Sequence, residues 1–258
     1  MKLFGKKKDK SSRPPQRAEQ AEPPKFPIQA AFEKNLKFLN RESYPKEFFE
    51  GLFTEDERTV VFTAGEADFP TGEVVIADPL VYLGTRYQTL LERRIPKGSY
   101  PVELSILYSQ RAGLRIAAAR LKISEEKAVS YKRGESKVKE DGKRPFCFMG
   151  VDAGTACFTD LQNAAEYDEF LRKWHEENPR KNHYDDYFAK YFAESYEKFP
   201  RVQREGGDFI QWRLPQSGNR LIMFASGLGD GMYSGYWGEN DKGEITELVI
   251  PFLNPEFF

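Results

Sequence analysis

A chain of 258 residues with 40% hydrophobic and 14% aromatic content can bury a substantial core and is too apolar to be disordered throughout. Its net charge of −1 hides an asymmetry: residues 1–25 hold eight Lys/Arg against three acids, which leaves the rest near −6 and argues against a nucleic-acid footprint on the folded part. Two cysteines and two histidines with no CxxC spacing argue against a Cys/His metal cage, and no apolar run approaches the roughly 20 residues that cross a bilayer.

"MKLFGKKKDKSSRPPQRAEQAEPPKFP", residues 1–27, is basic and then Pro/Glu/Gln-rich, and it reads as a disordered leader. Leu3 and Phe4 beside four lysines offer a weak contact with a membrane surface, although two apolar side chains supply little burial energy. No signal-peptide core follows Met1, and Cys147 and Cys157 suit a reducing compartment, so the expected location is the cytoplasm. Residues 28–258 are expected to form a single α+β domain.

Ile28, Ala31, Phe32, Leu36 and Leu39 recur at helical spacing, which predicts an N-terminal amphipathic helix. "YPKEFFEGLF" adds a turn and a short helix. From Arg58 the texture turns to strands: "RTVVFTA", "GEVVIADPLVYL", "SYPVELSILYS", "GLRIAAARLKIS" and "EKAVSYKRG", separated by Gly, Pro and charged turns. In "YPVELSILY", Val102, Leu104, Ile106 and Tyr108 alternate as in a half-buried strand. The alanines of "LRIAAARLKI" suit a helix and its alternation is untidy, but a strand is the reading favoured.

"SYKRGESKVKEDGKR" is a charged loop and "PFCFMGVD" a short buried strand. A helical insert follows over about 159–198, broken at Asn178-Pro179, with Thr159 and Gln162 at capping-box spacing. "DFIQWRL", "RLIMFAS", "MYSGYWG" and "EITELVI" are closing strands. The fold class expected is α+β, a mainly antiparallel sheet or sandwich carrying the helical insert and the N-terminal helix.

Candidate chemistry lies at strand ends. Asp78 precedes Pro79, which a turn-initiating Asp-Pro explains. Asp152 follows a buried strand with Gly154 close behind, and Asp160 suits a first helical turn. His175 and His183 lie among charges in the insert and read as a solvated helix face, while Tyr184, Phe188, Tyr191 and Phe192 read as core packing or a partner face. No nucleophile motif appears.

"SGLGDGMYSGYWGENDKG", residues 226–243, concentrates glycines, acids and aromatic rings. Its GxGxG is followed by a strand pattern rather than a helix, and no P-loop lysine is present, so both phosphate-loop readings fail. Asn240, Asp241 and Gly243 are turn residues of a glycine-rich hairpin, with Gly243 at a left-handed position. Asp230, between Gly229 and Gly231, is either an Asx-turn acceptor or a ligand or general acid/base placed where glycine permits close approach. Asp78, Asp152 and Asp230 converging at one end of a sheet would suit Mg²⁺ or Ca²⁺.

"GEVVIADPL", "IPKGSYPVELSI", "RIAAARLKIS", "GVDAGTACFTD" and "SGLGDGMYSGYWGENDKGEITELVI" together resemble the successive blocks of the bacterial domain of unknown function 4241 family, from about Gly72 to Ile250. The chain departs from that pattern at Pro251-Phe252, where related sequences tend to end "LVxDF", and at Asn240-Asp241, which shift the turn's acid by one place. The resemblance brings no catalytic residues; it implies variable bacterial loci, including toxin–immunity neighbourhoods. The expectation is a non-catalytic binding protein with a protein partner, of the immunity type. It uses Asp78, Asp152, Asp230, Tyr233 and Trp237, with no cofactor and no nucleic acid. The alternative is a metal-dependent hydrolase built on the three aspartates with Mg²⁺ or Ca²⁺.

Overall fold

The computed structural model describes residues 27–39, 41–138 and 147–258. The leader with its membrane-contact expectation, and part of the charged loop at 130–144, lie outside the described residues.

Two antiparallel sheets face each other. Strands β1 (Thr59–Phe69), β4 (Gly98–Ser109), β5 (Gly113–Lys122), β13 (Ile245–Pro251), β12 (Tyr236–Glu239) and β6 (Ser130–Arg133) form one, in that spatial order. The other is β3 (Thr89–Arg94), β2 (Glu73–Ala77), β8 (Thr155–Asp160), β10 (Arg220–Ala225) and β9 (Phe209–Arg213). A two-stranded ribbon, β7 (Met149–Val151) with β11 (Gly231–Tyr233), stands apart from both. Helices α1 (Pro27–Leu39) and α2 (Lys46–Leu52) precede the strands; α3 (Leu161–Glu177), a π-turn at Tyr184–Phe188 and α4 (Ala189–Lys198) make the insert. The α+β antiparallel class is the observed one.

Period-two alternation builds the layers. On β2, Val74 and Ile76 face the core between the sheets, while Val75 and Ala77 face the insert helices; on β10, Ile222 and Phe224 oppose Leu221 and Met223 in the same way. Tyr167, Phe188, Phe192 and Trp212 pack into that second layer. A third cluster, with Tyr44, Phe49 and Leu52 over Ala118, Tyr236 and Val249, covers the outer face of the six-stranded sheet. Each such buried Phe or Leu contributes about 2 kcal/mol.

The untidy "LRIAAARLKI" is a strand, as favoured, and a register shift in its pairing with β4 at Ser105/Ile106 explains why Ile116 and Ala117 both reach the central core. Two strands had no such reading: "TACFTD" is a central strand buried on both faces, and "TLLERR" is an edge strand that buries Thr89 and Leu91. "MYSGYWG" is not one strand: pairing with β7 ends at Tyr233 and pairing with β13 starts at Tyr236.

The insert's cap is Asp160 rather than Thr159. Its carboxylate accepts from Gln162 N at 2.9 Å, and it also takes the amides of Thr71 and Gly72. Further on, the Ala189 amide reaches back five residues to the Tyr184 carbonyl, so the aromatic stripe slips by one position. Phe188 and Phe192 are thereby buried while Tyr184 stays exposed.

Candidate functional site around Asp78 and the glycine-rich turn

Asp78, directly after strand β2, is fully buried. An ionised carboxylate there is costly unless donors surround it, and four do. Oδ1 accepts from Leu80 N at 3.0 Å and from the Thr155 hydroxyl at 2.6 Å; Oδ2 accepts from Asp152 N at 3.0 Å and Ala153 N at 2.7 Å. The Asp78 carbonyl accepts from the Tyr82 and Leu83 amides, and the Tyr167 hydroxyl donates to the Pro79 carbonyl. One side chain thus joins the turn after β2 to the connection between β7 and β8.

That connection meets the glycine-rich stretch. Ser226 N donates to the Gly154 carbonyl at 3.0 Å, and Gly231 pairs with Val151. Inside the stretch, the Ser226 hydroxyl and the Tyr233 hydroxyl both donate to the Gly229 carbonyl. Gly227, at φ 66°, has no room for a side chain: a Cβ would lie 2.8 Å from Cβ of Phe252. Phe252, one residue after Pro251, packs its ring 5.0 Å from Tyr233. Beside the turn, a cleft of about 200 Å³ is lined by Ala153, Gly154, Gly207, Gly227 and Arg204.

The three aspartate-bearing segments therefore converge at one end of the sandwich, with different fates. Asp78 is buried with both oxygens engaged. Asp152 is exposed and accepts from the Tyr82 hydroxyl; that hydrogen bond to an anion raises the Tyr82 pKa. Asp230 is exposed and takes no hydrogen bond from the described residues. Among the described residues, no group of three His, Cys, Asp or Glu side chains is arranged to hold a metal ion. A cation shared by the three aspartates would have to displace the N–H donors that now fill Asp78.

Tyr233 and Trp237, expected at a binding surface, have none to offer: both lie in the central core. Burial, with the nearby charge of Asp230 adding to it, raises the Tyr233 pKa. The hairpin reading of 237–243 stands, with Gly243 at φ 78° and the Asn240 side chain accepting from the Lys242 and Glu244 amides.

What the sequence reading missed is the outer face of the β7–β11 ribbon. Met149, Val151 and Tyr233 point inward, so Phe148, Gly150, Asp152 and Met232 point out. Gly150 leaves a gap flanked by the Tyr82 ring and the Met232 sulfur. Tyr82 lies 6.0 Å from Tyr87, which is 60% exposed, and Met232 is 48% exposed. Arg86 sits over the Tyr87 ring and Arg133 over Phe148. The alternating Phe148-x-Gly150-x-Asp152 pattern was the available signal, hidden because the ribbon's partner lies some eighty residues away.

The histidines are not a solvated face. His183 Nε2 lies 2.9 Å from the Leu80 carbonyl, which only accepts, so Nε2 carries the proton. Its Nδ1 then faces His175 Nε2 at 3.1 Å as an acceptor. Burial, and after it the neighbouring His175, pulls the His183 pKa below its usual value, against the Leu80 carbonyl and Asp78. Cys147 and Cys157 are buried free thiols whose pKa values burial raises.

A family model matches residues 67–250, from the end of β1 to the end of β13. The chain belongs to the family described as Protein of unknown function (DUF4241). The match takes in both sheets' inner strands, the ribbon and the helical insert, and leaves α1 and α2 outside. Comparison with curated proteins finds no match, and neither does comparison with solved structures. Among the described residues no helix is long and apolar enough to cross a membrane.

Proposed function

We propose that this protein works by binding another protein in the cytosol, without catalysis, through the outer face of the ribbon and the adjoining turn after β2. One observation carries the reading: Tyr87, Phe148 and Met232 are exposed on a surface whose backbone is held by the buried Asp78 network. Tyrosine, phenylalanine and methionine are enriched at the centres of protein interfaces, and a pre-ordered backbone lowers the entropic cost of binding. The exposed carboxylates of Asp152 and Asp230 beside the apolar strip would set orientation and partner choice. The partner expected is a toxin, with this chain as its immunity protein, as the family resemblance implies.

The test places a photo-crosslinking amino acid at Tyr87, at Met232 and, as a control on another face, at the exposed Phe199. Irradiation in cells that carry the native locus should capture the same protein at 87 and 232 and not at 199. Recovery of the free chain alone, with no adduct above the control, overturns the reading.

A further inference from the structure

We propose that His175 and His183 form a two-histidine site for a borderline divalent transition metal such as Zn²⁺, tying the last turn of α3 to the start of the π-turn, whose His183 is itself hydrogen-bonded to the turn after β2. These are the two histidines of the whole chain, and the fold brings their ring nitrogens to 3.1 Å. An ion bound at about 2.1 Å from each nitrogen would subtend an angle of about 95° at that separation, and widening it by roughly 0.3 Å reaches the tetrahedral value. The two nitrogens now face each other across a hydrogen bond, which an ion between them would replace, so the movement required is a pivot of two half-buried rings that turns both lone pairs toward one point.

The surroundings suit a metal ligand rather than a titrating surface group. A ligating histidine ordinarily donates its second ring N–H to a carbonyl or carboxylate, which fixes the tautomer and aims the lone pair. His183 does this with Leu80, so its Nδ1 lone pair is presented toward His175. The charged and titratable groups near His183 are His175 from α3 and Asp78 after β2, and burial disfavours the charged form of the ring. Imidazole nitrogens select Zn²⁺, Cu²⁺ or Ni²⁺ over Mg²⁺ and Ca²⁺. Among the described residues no third side chain joins the pair, so water would complete the coordination and the affinity would be moderate. The buried cysteines do not compete. On binding, the His175 proton moves from Nε2 to Nδ1, the hydrogen bond between the two rings is lost, and two metal–nitrogen bonds replace two of the hydrated ion's waters.

The site lies outside the ribbon face, and its failure leaves the protein-binding reading untouched. Tag-free full-length protein is titrated with ZnCl₂ at pH 7.5, followed by calorimetry, thermal melting and the imidazole NMR signals, of which there are two sets. Zn²⁺ should raise the melting temperature and perturb both sets, while MgCl₂ and CaCl₂ do neither. His175→Gln and His183→Gln should each weaken binding at least tenfold; at 183 the glutamine amide reaches as far as the imidazole Nε2 and still offers an N–H to the Leu80 carbonyl, which protects the fold. Lowering the pH to 5.5 should weaken binding at least tenfold. Imidazole signals in the intact protein that ignore Zn²⁺ overturn the site, whether or not the variants fold. An affinity unchanged in both variants overturns it too, and assigns the ion to surface carboxylates.

Discussion

Asp78 and Asp230 look alike in the chain, each at a strand mouth and each beside a turn-forming residue, and the fold uses them in opposite ways. Around Asp78 the backbone curls inward and supplies three amide donors and a hydroxyl, so the carboxylate is structural. Around Asp230 the glycine-rich turn satisfies itself through Ser226, Gly229 and Tyr233, so the carboxylate is left to solvent. A buried acid is explained by the donors it holds together; an exposed, unengaged one is available for recognition. The two regions touch, which lets the first hold the second in place.

The largest effect should come from Asp78→Ala, which strands buried donors: a loss of about 3 kcal/mol or more of unfolding free energy, measured by urea denaturation. Asp78→Asn, which keeps an acceptor, should lose less. A loss under about 1 kcal/mol for the alanine variant would remove Asp78 as the organiser of this end of the molecule.

Within the glycine-rich turn, Gly227→Ala should cost about 2 kcal/mol, because strain at φ 66° adds to the collision with Phe252. Gly229→Ala meets open space and has only its φ of 114° against it, so it should cost less in the same assay. Equal costs would show that the turn is uniformly strained and blur the division between its two halves.

Stability should fall with acidification in two windows. The folded pKa of His183 lies below the value near 6.5 that the unfolded chain has, so the unfolded state takes up the proton first. Its contribution is full above pH 6.5 and declines as the pH drops below it. Asp68 gives the second window: burial pushes its pKa up, but the hydrogen bonds of Arg220 and Ser99 outweigh this and hold it at about 2. Its contribution is present above about pH 4 and lost as the pH falls toward 2. Urea midpoints measured from pH 8 to 3 should show the first decline in the native chain and not in His183→Gln.

The smallest effect on stability should come from Asp230→Asn and Met232→Ala, each within about 0.5 kcal/mol of the native chain. The same variants should lose the crosslinked partner. Destabilisation comparable to that of Asp78→Ala would place the ribbon face with the architecture instead of with binding.

Most strands were legible from short runs of β-branched and aromatic residues bounded by turn residues, as with Val74, Val75 and Ile76 of β2, or from alternation, as with Val102, Leu104 and Ile106 of β4. β8 escaped because "TACFTD" is buried on both faces and so shows no period, and its small and polar residues form no such run. Asp160 and Thr159 both had capping chemistry by spacing, and the choice fell to Asp160 because it also takes the Thr71 and Gly72 amides from a distant turn. In the candidate site, the glycine-rich hairpin and the strand-end aspartates were visible. The burial of Tyr233 and Trp237 was not, since an aromatic side chain in a glycine-rich stretch serves a core or a surface equally well.

By itself the sequence determined the antiparallel α+β class, the family, the hairpin at Gly243 and the positions where carboxylates end strands. These follow from short-range rules: period, turn chemistry and the φ that only glycine adopts easily. Only the tertiary structure decided which carboxylate is buried, that β7 and β11 leave the sheets to form an exposed ribbon, and that the chain's two histidines meet. Those outcomes depend on which distant backbone donors and side chains arrive at each place, and no local pattern encodes them.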